Sequence, residues 1–158
     1  MVFVIGVGGF IGLSQAQAGG RPAPDFSAYT LEGDEVTIGA LEGEPALLMF
    51  WAPWCGVCKR ELPKLAYFYE AEKPDGLQVV SIAGSDTEDN VQEYVDDNPD
   101  VFVFPTVYDE GKIVARDFRI KAFPTYVLLD GEGNIVLFHR GGGLLNKSTF
   151  RNFMAELP

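Results

Sequence analysis

The stretch that decides the fold is FWAPWCGVCKRELP, residues 50–63, in which two cysteines join an apolar run to a charged segment. Cys55 and Cys58 are the only cysteines in the 158-residue chain. The run ALLMFWA (46–52) has the length and composition of a strand buried on both faces. A helix is predicted to begin at Cys55 or Gly56. The pair is therefore predicted to lie at a strand-to-helix junction. Three interpretations of it compete: a structural disulfide, half of a metal site and a redox centre.

A structural or metal-binding role explains the pair poorly. A bridge across Cys-x-x-Cys closes a loop of about four residues, for which chain entropy gives only about 2 kcal/mol. Structural zinc needs about four nitrogen or sulfur ligands, but the only histidine, His139, lies in a distant predicted strand. We therefore expect no metal ion and no organic cofactor, and we interpret His139 as a surface or partly buried strand residue.

A redox centre fits the spacing best. Two cysteines three residues apart at a helix start share one face of the first turn, where unpaired backbone N–H groups and the helix dipole favour a thiolate. We predict that Cys55 is the exposed nucleophile and ionises readily. Cys58, one turn further along, is predicted to be the resolving thiol that attacks the mixed disulfide. Lys59 is expected to add a positive charge as a minor contributor.

Strand and helix patterns alternate along the chain and predict an α/β domain with a mixed sheet. DFSAYTLEGDEVTI (25–38) predicts a β-hairpin. The helix after Cys55 is expected to kink at Pro63, because proline removes a helical hydrogen bond. Further strands are predicted at 77–84, 101–109 (an edge strand interrupted by Pro105), 125–130 and 134–140, and further helices at 87–98, 111–120 and 146–157.

The first eighteen residues differ from the rest. An apolar run over 2–13 leads into SQAQA (14–18), which ends in the small-x-small form of a signal-peptidase site. About twelve apolar residues are too few for a spanning helix, which needs roughly 20. We predict a cleaved signal peptide at 1–18, with a residual membrane anchor or an apolar tail as alternatives. A linker at 19–23 and one domain at 24–158 follow.

The charge and the predicted export limit the choice of compartment and partner. A net charge of −11 and a pI near 4.4 argue against nucleic acid or an anionic membrane surface as a partner. Export to the periplasm or beyond would place the cysteines where disulfides persist.

Three separated segments resemble the TlpA/ResA-like branch of exported thiol–disulfide oxidoreductases, which have the thioredoxin fold. The segment APDFSAYTLEGDEVTIGALEGEPALLMFWAPWC (23–55) resembles the entry of this branch, CKRELP (58–63) its continuation, and IKAFPTYVLLDGEGNIV (120–136) its x-Pro-Thr segment. The resemblance implies a thioredoxin-like fold, with a central mixed β-sheet flanked by helices and an N-terminal β-hairpin extension.

The resemblance also implies roles for residues near the cysteines. Pro124 would be the cis-proline that faces the disulfide, and the backbone of Phe123 would pair with an extended partner segment. Thr125 is expected to contribute to the same partner-binding surface. Trp54 would form an apolar wall beside Cys55, whereas we interpret Trp51 as a core residue.

The chain departs from the family pattern at positions that bear on electron flow. Met49 stands where thioredoxins proper carry a buried Asp. The branch often uses an acid after the following strand, and Asp86 is the nearest candidate there, although Ser85 is the better match in position. The dipeptide Gly56-Val57 lacks the proline that many reductive members carry.

The sequence predicts an exported thiol–disulfide oxidoreductase that acts on protein partners and is served by an upstream redox protein. A reductase role is favoured by the resemblance alone. A disulfide oxidase of the same fold and a non-enzymatic module binding a thiophilic ion such as Cu(I) are the alternatives. A peroxide-reducing relative fits less well, because Ala52 stands where those proteins carry Thr or Ser.

Overall fold

The computed structural model describes residues 20–157. The predicted signal peptide or anchor at 1–18 lies outside the described residues. The strands are β1 (Arg21–Pro22), β2 (Ser27–Tyr29), β3 (Glu35–Thr37), β4 (Ala46–Trp51), β5 (Gln78–Ala83), β6 (Thr106–Tyr108), β7 (Thr125–Leu129) and β8 (Asn134–Arg140). The α-helices are α1 (Ile38–Leu41), α2 (Gly56–Tyr67), α3 (Glu88–Asp96), α4 (Ile113–Asp117) and α5 (Ser148–Glu156). A π-helical turn at Phe68–Glu72 continues α2, and 3₁₀ turns lie at Glu110–Lys112 and Leu144–Asn146.

Six strands form one mixed sheet in the order β1-β8-β7-β4-β5-β6. Strands β4, β5 and β6 run parallel, whereas β7, β8 and β1 join by antiparallel pairing. All six residues of β4 are buried between β5 and β7. The predicted mixed sheet with a central apolar strand is therefore confirmed.

Alternate side chains of β4 supply two hydrophobic cores, one on each face of the sheet. Leu47, Met49 and Trp51 belong to the core that also contains the buried residues of α2. Leu48 and Phe50 belong to the core that contains those of α4. This alternation follows from the two-residue period of a strand and requires helices on both faces, which explains the continuous apolar run. Trp51 is fully buried, as predicted for a core residue.

The predicted N-terminal hairpin forms between β2 and β3, with Ala28 opposite Val36. It attaches to the free edge of β6, because Thr30 bridges Val107 and the N–H of Leu31 donates to the carbonyl of Thr106 at 2.9 Å. The hairpin therefore covers the edge strand, which would otherwise present unpaired backbone groups.

The predicted linker at 19–23 is wrong in its described part, because Arg21–Pro22 forms the edge strand β1. Arg21 lies opposite Ile135 of β8, and the N–H of Ala23 donates to the carbonyl of Gly133 at 3.0 Å. A proline is tolerated here because an edge strand does not need every N–H for the sheet. The domain therefore includes residues that composition alone assigns to a linker.

Helix α2 extends through Pro63 to Tyr67, and Cys55 is its N-cap residue. The predicted helix start is confirmed, and the kink at Pro63 stays a prediction. Within the described residues, no helix has the length and apolar character needed to span a membrane.

Candidate active site

Cys55 and Cys58 form a disulfide at the carboxyl end of β4, where the chain enters α2. The Sγ of Cys55 occupies the N-cap position and accepts a hydrogen bond from the backbone N–H of Cys58 at 3.1 Å. A helix start offers unpaired N–H groups and a positive partial charge to whatever lies at this position. The geometry therefore favours a thiolate at Cys55 in the reduced protein.

The two cysteines are both buried, which corrects the prediction that Cys55 is exposed. Cys55 is 6% exposed to solvent and Cys58 is fully buried. Both belong to the hydrophobic core on the α2 face of the sheet, because the helix start packs directly against the end of β4. Cys55 is still the only one of the two that solvent reaches, so the predicted order of accessibility agrees with the structure.

Trp54 and Phe123 form an aromatic rim beside the disulfide. Trp54 is 60% exposed, and its ring meets that of Phe123 edge to face with centroids 6.1 Å apart. The indole N–H of Trp54 donates to the backbone carbonyl of Ser85 at 2.9 Å, which fixes the ring. The structure thus brings together two residues that are 69 positions apart in the sequence.

Phe123 and Pro124 are joined by a cis peptide bond. Phe50 of β4 pairs with Thr125 of β7, so Pro124 lies next to the end of β4 that leads to the disulfide. Among the described residues, the backbone N–H and carbonyl of Phe123 have no hydrogen-bond partner. This leaves a short free edge to which an extended segment can pair.

Thr125 stabilises this edge and is not part of its exposed surface. Its side chain is fully buried, and its hydroxyl donates to the carbonyl of Ala122 at 2.7 Å. The expected contact between Thr125 and a partner is therefore not available to the side chain, which instead holds the turn that carries Phe123 and Pro124.

Lys59 and Asp86 line one groove on the α3 side of Trp54. The Nζ of Lys59 lies 5.1 Å from the ring centroid of Tyr94. The carboxylate of Asp86 accepts hydrogen bonds from the backbone N–H of Thr87 at 2.8 Å and from the side chain of Asn90 at 2.6 Å. Both contacts are made at the start of α3, so the visible role of Asp86 is to begin that helix.

Sequence reasoning missed Glu61, the buried carboxylate of the site. Glu61 is 4% exposed and follows Cys58 by one helical turn. Its carboxylate accepts hydrogen bonds from the ammonium of Lys64 at 2.8 Å and from the backbone N–H of Gly143 at 2.8 Å. Met49 is fully buried and its side chain carries no ionisable group, so Glu61 is the buried carboxylate on this side of the sheet.

The surroundings of Glu61 favour its ionised form. Burial raises the pKa of this carboxyl, but hydrogen bonds from Lys64 and Gly143, the charge of Lys64 and the hydroxyl of Tyr126 together hold it below its ordinary value of 4.5. Tyr126 is in turn affected, since its own burial and the neighbouring Glu61 raise the pKa of its phenol. A negative charge therefore lies on the buried face of α2, one helical turn after Cys58.

A glycine turn after β8 closes over Glu61. A side chain at Gly142 would come within 2.9 Å of the Glu61 carboxyl carbon, and both Gly141 and Gly143 have left-handed backbone conformations. His139 extends this contact, because its Nε2 lies 3.0 Å from the carbonyl of Gly142. His139 is a partly buried residue of β8, as predicted.

A sequence signal for Glu61 was present. Cys58, Glu61, Leu62 and Leu65 recur at the spacing of one helix face, so the acid stands at a position where an apolar residue is expected. Within residues 20–157, no group of three or more His, Cys, Asp or Glu side chains is arranged to hold a metal ion.

Comparisons with known proteins show which family this chain belongs to. Residues 19–138 match the model of the AhpC/TSA family. The chain is 34% identical over 133 residues to the thiol-disulfide oxidoreductase ResA of Halalkalibacterium halodurans, covering 84% of this chain and 74% of the relative. It is 33% identical over 129 residues to sporulation thiol-disulfide oxidoreductase A of Bacillus subtilis, covering 80% and 77%.

A solved structure shares both fold and sequence. The MTB dsbF structure, in mixed oxidized and reduced forms, superposes with a TM-score of 0.73 at 32% identity and covers 84% of this chain and 98% of that one. The predicted thioredoxin-like fold is thereby confirmed. The chain belongs to the AhpC/TSA family and is a thioredoxin-fold thiol–disulfide oxidoreductase, similar to the ResA-like members.

Proposed function

We propose that this enzyme reduces disulfides in exported protein partners, with Cys55 as the attacking thiol and Cys58 as the resolving thiol. The observation that carries the proposal is the Sγ of Cys55 at the N-cap of α2, directly after Trp54, whose ring contacts Phe123 with its unpaired backbone. A partner segment that pairs with this edge would present its disulfide next to the one sulfur that solvent reaches.

Disulfide exchange with the partner proceeds in two steps. The Cys55 thiolate attacks one sulfur of the partner disulfide, and the other partner sulfur leaves as a thiolate that takes up a proton. Cys58 then loses its proton and attacks the Cys55 sulfur, which releases the first partner sulfur as a thiol. The partner gains two electrons, the enzyme becomes the Cys55–Cys58 disulfide, and an upstream dithiol protein must reduce it again.

The direction of reduction is supported by Glu61. A thiol–disulfide couple is more oxidising when its reduced form is stabilised as a thiolate. The ionised carboxylate of Glu61 lies one turn from Cys58 on the buried face of α2 and disfavours a second negative charge there. This destabilises the thiolate form of the dithiol and favours the donation of electrons.

Oxidation of partner dithiols is the second candidate. The hydrogen bond from the N–H of Cys58 to the Sγ of Cys55 stabilises a thiolate at Cys55 and acts in the opposite sense to Glu61.

The reduction potential decides between these two directions. Equilibration of the protein with glutathione buffers, with the thiol state read by alkylation, should give a value near about −270 mV for a reductant. A value near about −120 mV would instead assign the enzyme to the oxidation of partners. The metal content of protein purified with reductant should show no stoichiometric copper, whereas copper without disulfide exchange would support the Cu(I)-binding alternative.

Export is part of the proposal. The apolar run at 2–13 and the Ala-Gln-Ala site at 16–18 support a cleaved signal, with membrane anchoring as the alternative. N-terminal sequencing of protein from an exported fraction distinguishes the two, because an anchor would retain residues 1–18.

A further inference from the structure

A groove that begins at the active-site rim is lined by positive charge, although the chain as a whole is acidic. The groove has a volume of about 460 Å³ and runs from Trp54 and Phe123 along residues 111–121. Four exposed cationic side chains line it: Lys112, Arg116, Arg119 and Lys121. The chain has only 12 Lys and Arg against 23 Asp and Glu. One third of its cations therefore meet in a single groove beside the disulfide.

This positive charge is largely unneutralised. Among residues 20–157, no Asp or Glu lines the groove. Arg116 pairs with Asp117 at 3.2 Å, but 72% of the Arg116 side chain is exposed, and pairs of this kind are weak. The other three cations form no ion pair within the described part of the chain. An acidic ligand that binds Lys112, Arg119 or Lys121 would thus not have to displace a carboxylate of the protein.

The backbone of the groove is held in an unusual conformation. Ser85, Lys112 and Arg119 have φ angles of 63°, 57° and 57°, and they are the only residues other than glycine with positive φ among those described. All three line this groove. Such conformations are uncommon for side-chain-bearing residues and concentrate at functional sites, where surrounding structure maintains them. Three such residues in one groove indicate that the surrounding structure maintains a specific backbone conformation there.

The opposite side of Trp54 carries the opposite charge. The groove there is lined by Asp86, Glu93 and Asp97, which lie before, within and directly after α3, with Lys59 as the one cation. The Trp54 ring, fixed by its hydrogen bond to Ser85, separates the two. A partner segment that crosses the rim therefore meets acid on one side and base on the other, which gives it a preferred direction.

We propose that the groove at 111–121 selects partner proteins in which carboxylate side chains lie within a few residues of the reactive cysteine. The proposal rests on the proposed function, since the partner must reach Cys55. An extended segment advances about 3.3 Å per residue, so residues two to four positions from a cysteine at the rim lie along the groove. Arginine binds carboxylates through two parallel hydrogen bonds, and lysine adds charge without that geometry.

Three matched peptides test the proposal. Each carries one cysteine as a mixed disulfide with 2-thiopyridine, an uncharged leaving group, and is flanked on both sides by Glu, Gln or Lys. The reduced full-length protein is mixed with each peptide. Attack by Cys55 releases pyridine-2-thione, whose absorbance gives the rate, and Cys58 then releases the peptide thiol as the enzyme disulfide forms. At about 10 mM salt, we expect the Glu peptide to react about tenfold faster than the Gln peptide and the Lys peptide more slowly than both.

Salt and groove variants identify the source of this preference. At about 1 M NaCl, where charges are screened beyond about 3 Å, the ratio of Glu to Gln rates should approach one. Lys112→Asn combined with Arg119→Asn removes two charges while keeping a residue that tolerates positive φ, and should lower the ratio to about twofold. Lys121→Gln should lower it by about half, whereas the matched single-charge variant Lys147→Gln, in an exposed residue before α5, should leave it unchanged.

The outcomes separate this proposal from the proposed function. Equal rates for the three peptides would overturn the groove assignment while the exchange chemistry stands. A Glu preference that survives in the Lys112→Asn/Arg119→Asn protein, or that falls equally in Lys147→Gln, would also overturn it. Absence of exchange with every peptide would refute the proposed function and the groove together.

Discussion

The two sulfurs of the disulfide are three residues apart, yet their surroundings differ in kind. Cys55 lies at the helix start, where its sulfur accepts the N–H of Cys58, and it directly follows Trp54, whose ring contacts Phe123 at the rim. Cys58 lies one turn deeper, without solvent exposure and on the same helix face as the carboxylate of Glu61. The rim favours a negative charge on sulfur and the interior disfavours it. Two chemically identical thiols thus acquire unequal roles from their depth in the fold.

Replacing each of the two cysteines in turn should have the largest effect and tests whether their roles differ. Cys58→Ala should accumulate mixed disulfides with partner proteins through Cys55, because the resolving thiol is lost. Cys55→Ala should accumulate none, and both variants should lose at least about 10³-fold in turnover, since each step needs its own thiol. Non-reducing electrophoresis after alkylation measures the trapped species. Equal trapping by the two variants would show that rim and interior do not differ in reactivity.

Removing the interior charge should have a smaller effect. Glu61→Gln keeps the shape but loses the ion pair with Lys64, which should cost about 1–2 kcal/mol in the free energy of unfolding at pH 7. The native pKa of Glu61 lies below its ordinary value of 4.5, so the unfolded chain binds the proton first as the pH falls. The stabilisation is therefore complete above about pH 4.5 and is lost as the pH falls through the native pKa.

Denaturant unfolding of the oxidised protein at several pH values measures this difference. The difference in the free energy of unfolding between the parent protein and Glu61→Gln should become smaller below about pH 4.5. The control Glu70→Gln changes an exposed residue of the same helical segment and should alter this free energy little at any pH. A gap that stays constant down to pH 3 would mean that the Glu61 carboxylate is not held ionised by its partners.

Changes at the rim should have the smallest effects. Trp54→Ala removes the side chain shared by the two grooves. It should slow exchange with the Gln peptide about threefold, because part of the binding surface is lost. Asp86→Asn keeps an acceptor for the N–H of Thr87 and should change the same rate by less than about 1.5-fold. Stopped-flow rates of the two proteins test the distinction. A larger loss in Asp86→Asn than in Trp54→Ala would show that Asp86 takes part in the exchange reaction and does more than begin α3 through Thr87 and Asn90.

The fold was predictable wherever one segment carries its own periodicity. The continuous apolar run of β4 can be buried only between two layers, and Thr87 provides a side-chain cap for α3 by accepting the N–H of Asn90 at 3.3 Å. The strand–turn–strand pattern near the C-terminus likewise gives β7 and β8. These elements are determined by neighbours in the sequence.

The errors concern residues whose environment is set from far away. Arg21–Pro22 becomes a strand only because β8, more than a hundred residues later, offers a free edge. Glu61 is covered by the turn at 141–143, about eighty residues later in the chain. Cys55 is less exposed than a helix start suggests because α2 packs against the end of β4. Composition and local pattern contain none of these distances.

The position of β1 determines how the enzyme would be presented from a surface. Arg21 pairs with Ile135, Ile135 with Leu129, and Leu129 with Ala46, the first residue of β4. The disulfide follows Trp51 at the other end of that strand, about 17 Å away at 3.3 Å per residue. Strand β1 is antiparallel to β8 and runs away from the disulfide end of the sheet, so its first residue, Arg21, is the one nearer to that end. A tether that continued the direction of β1 would therefore run along the edge of the sheet towards the disulfide and would hold the reactive sulfur close to the anchored side.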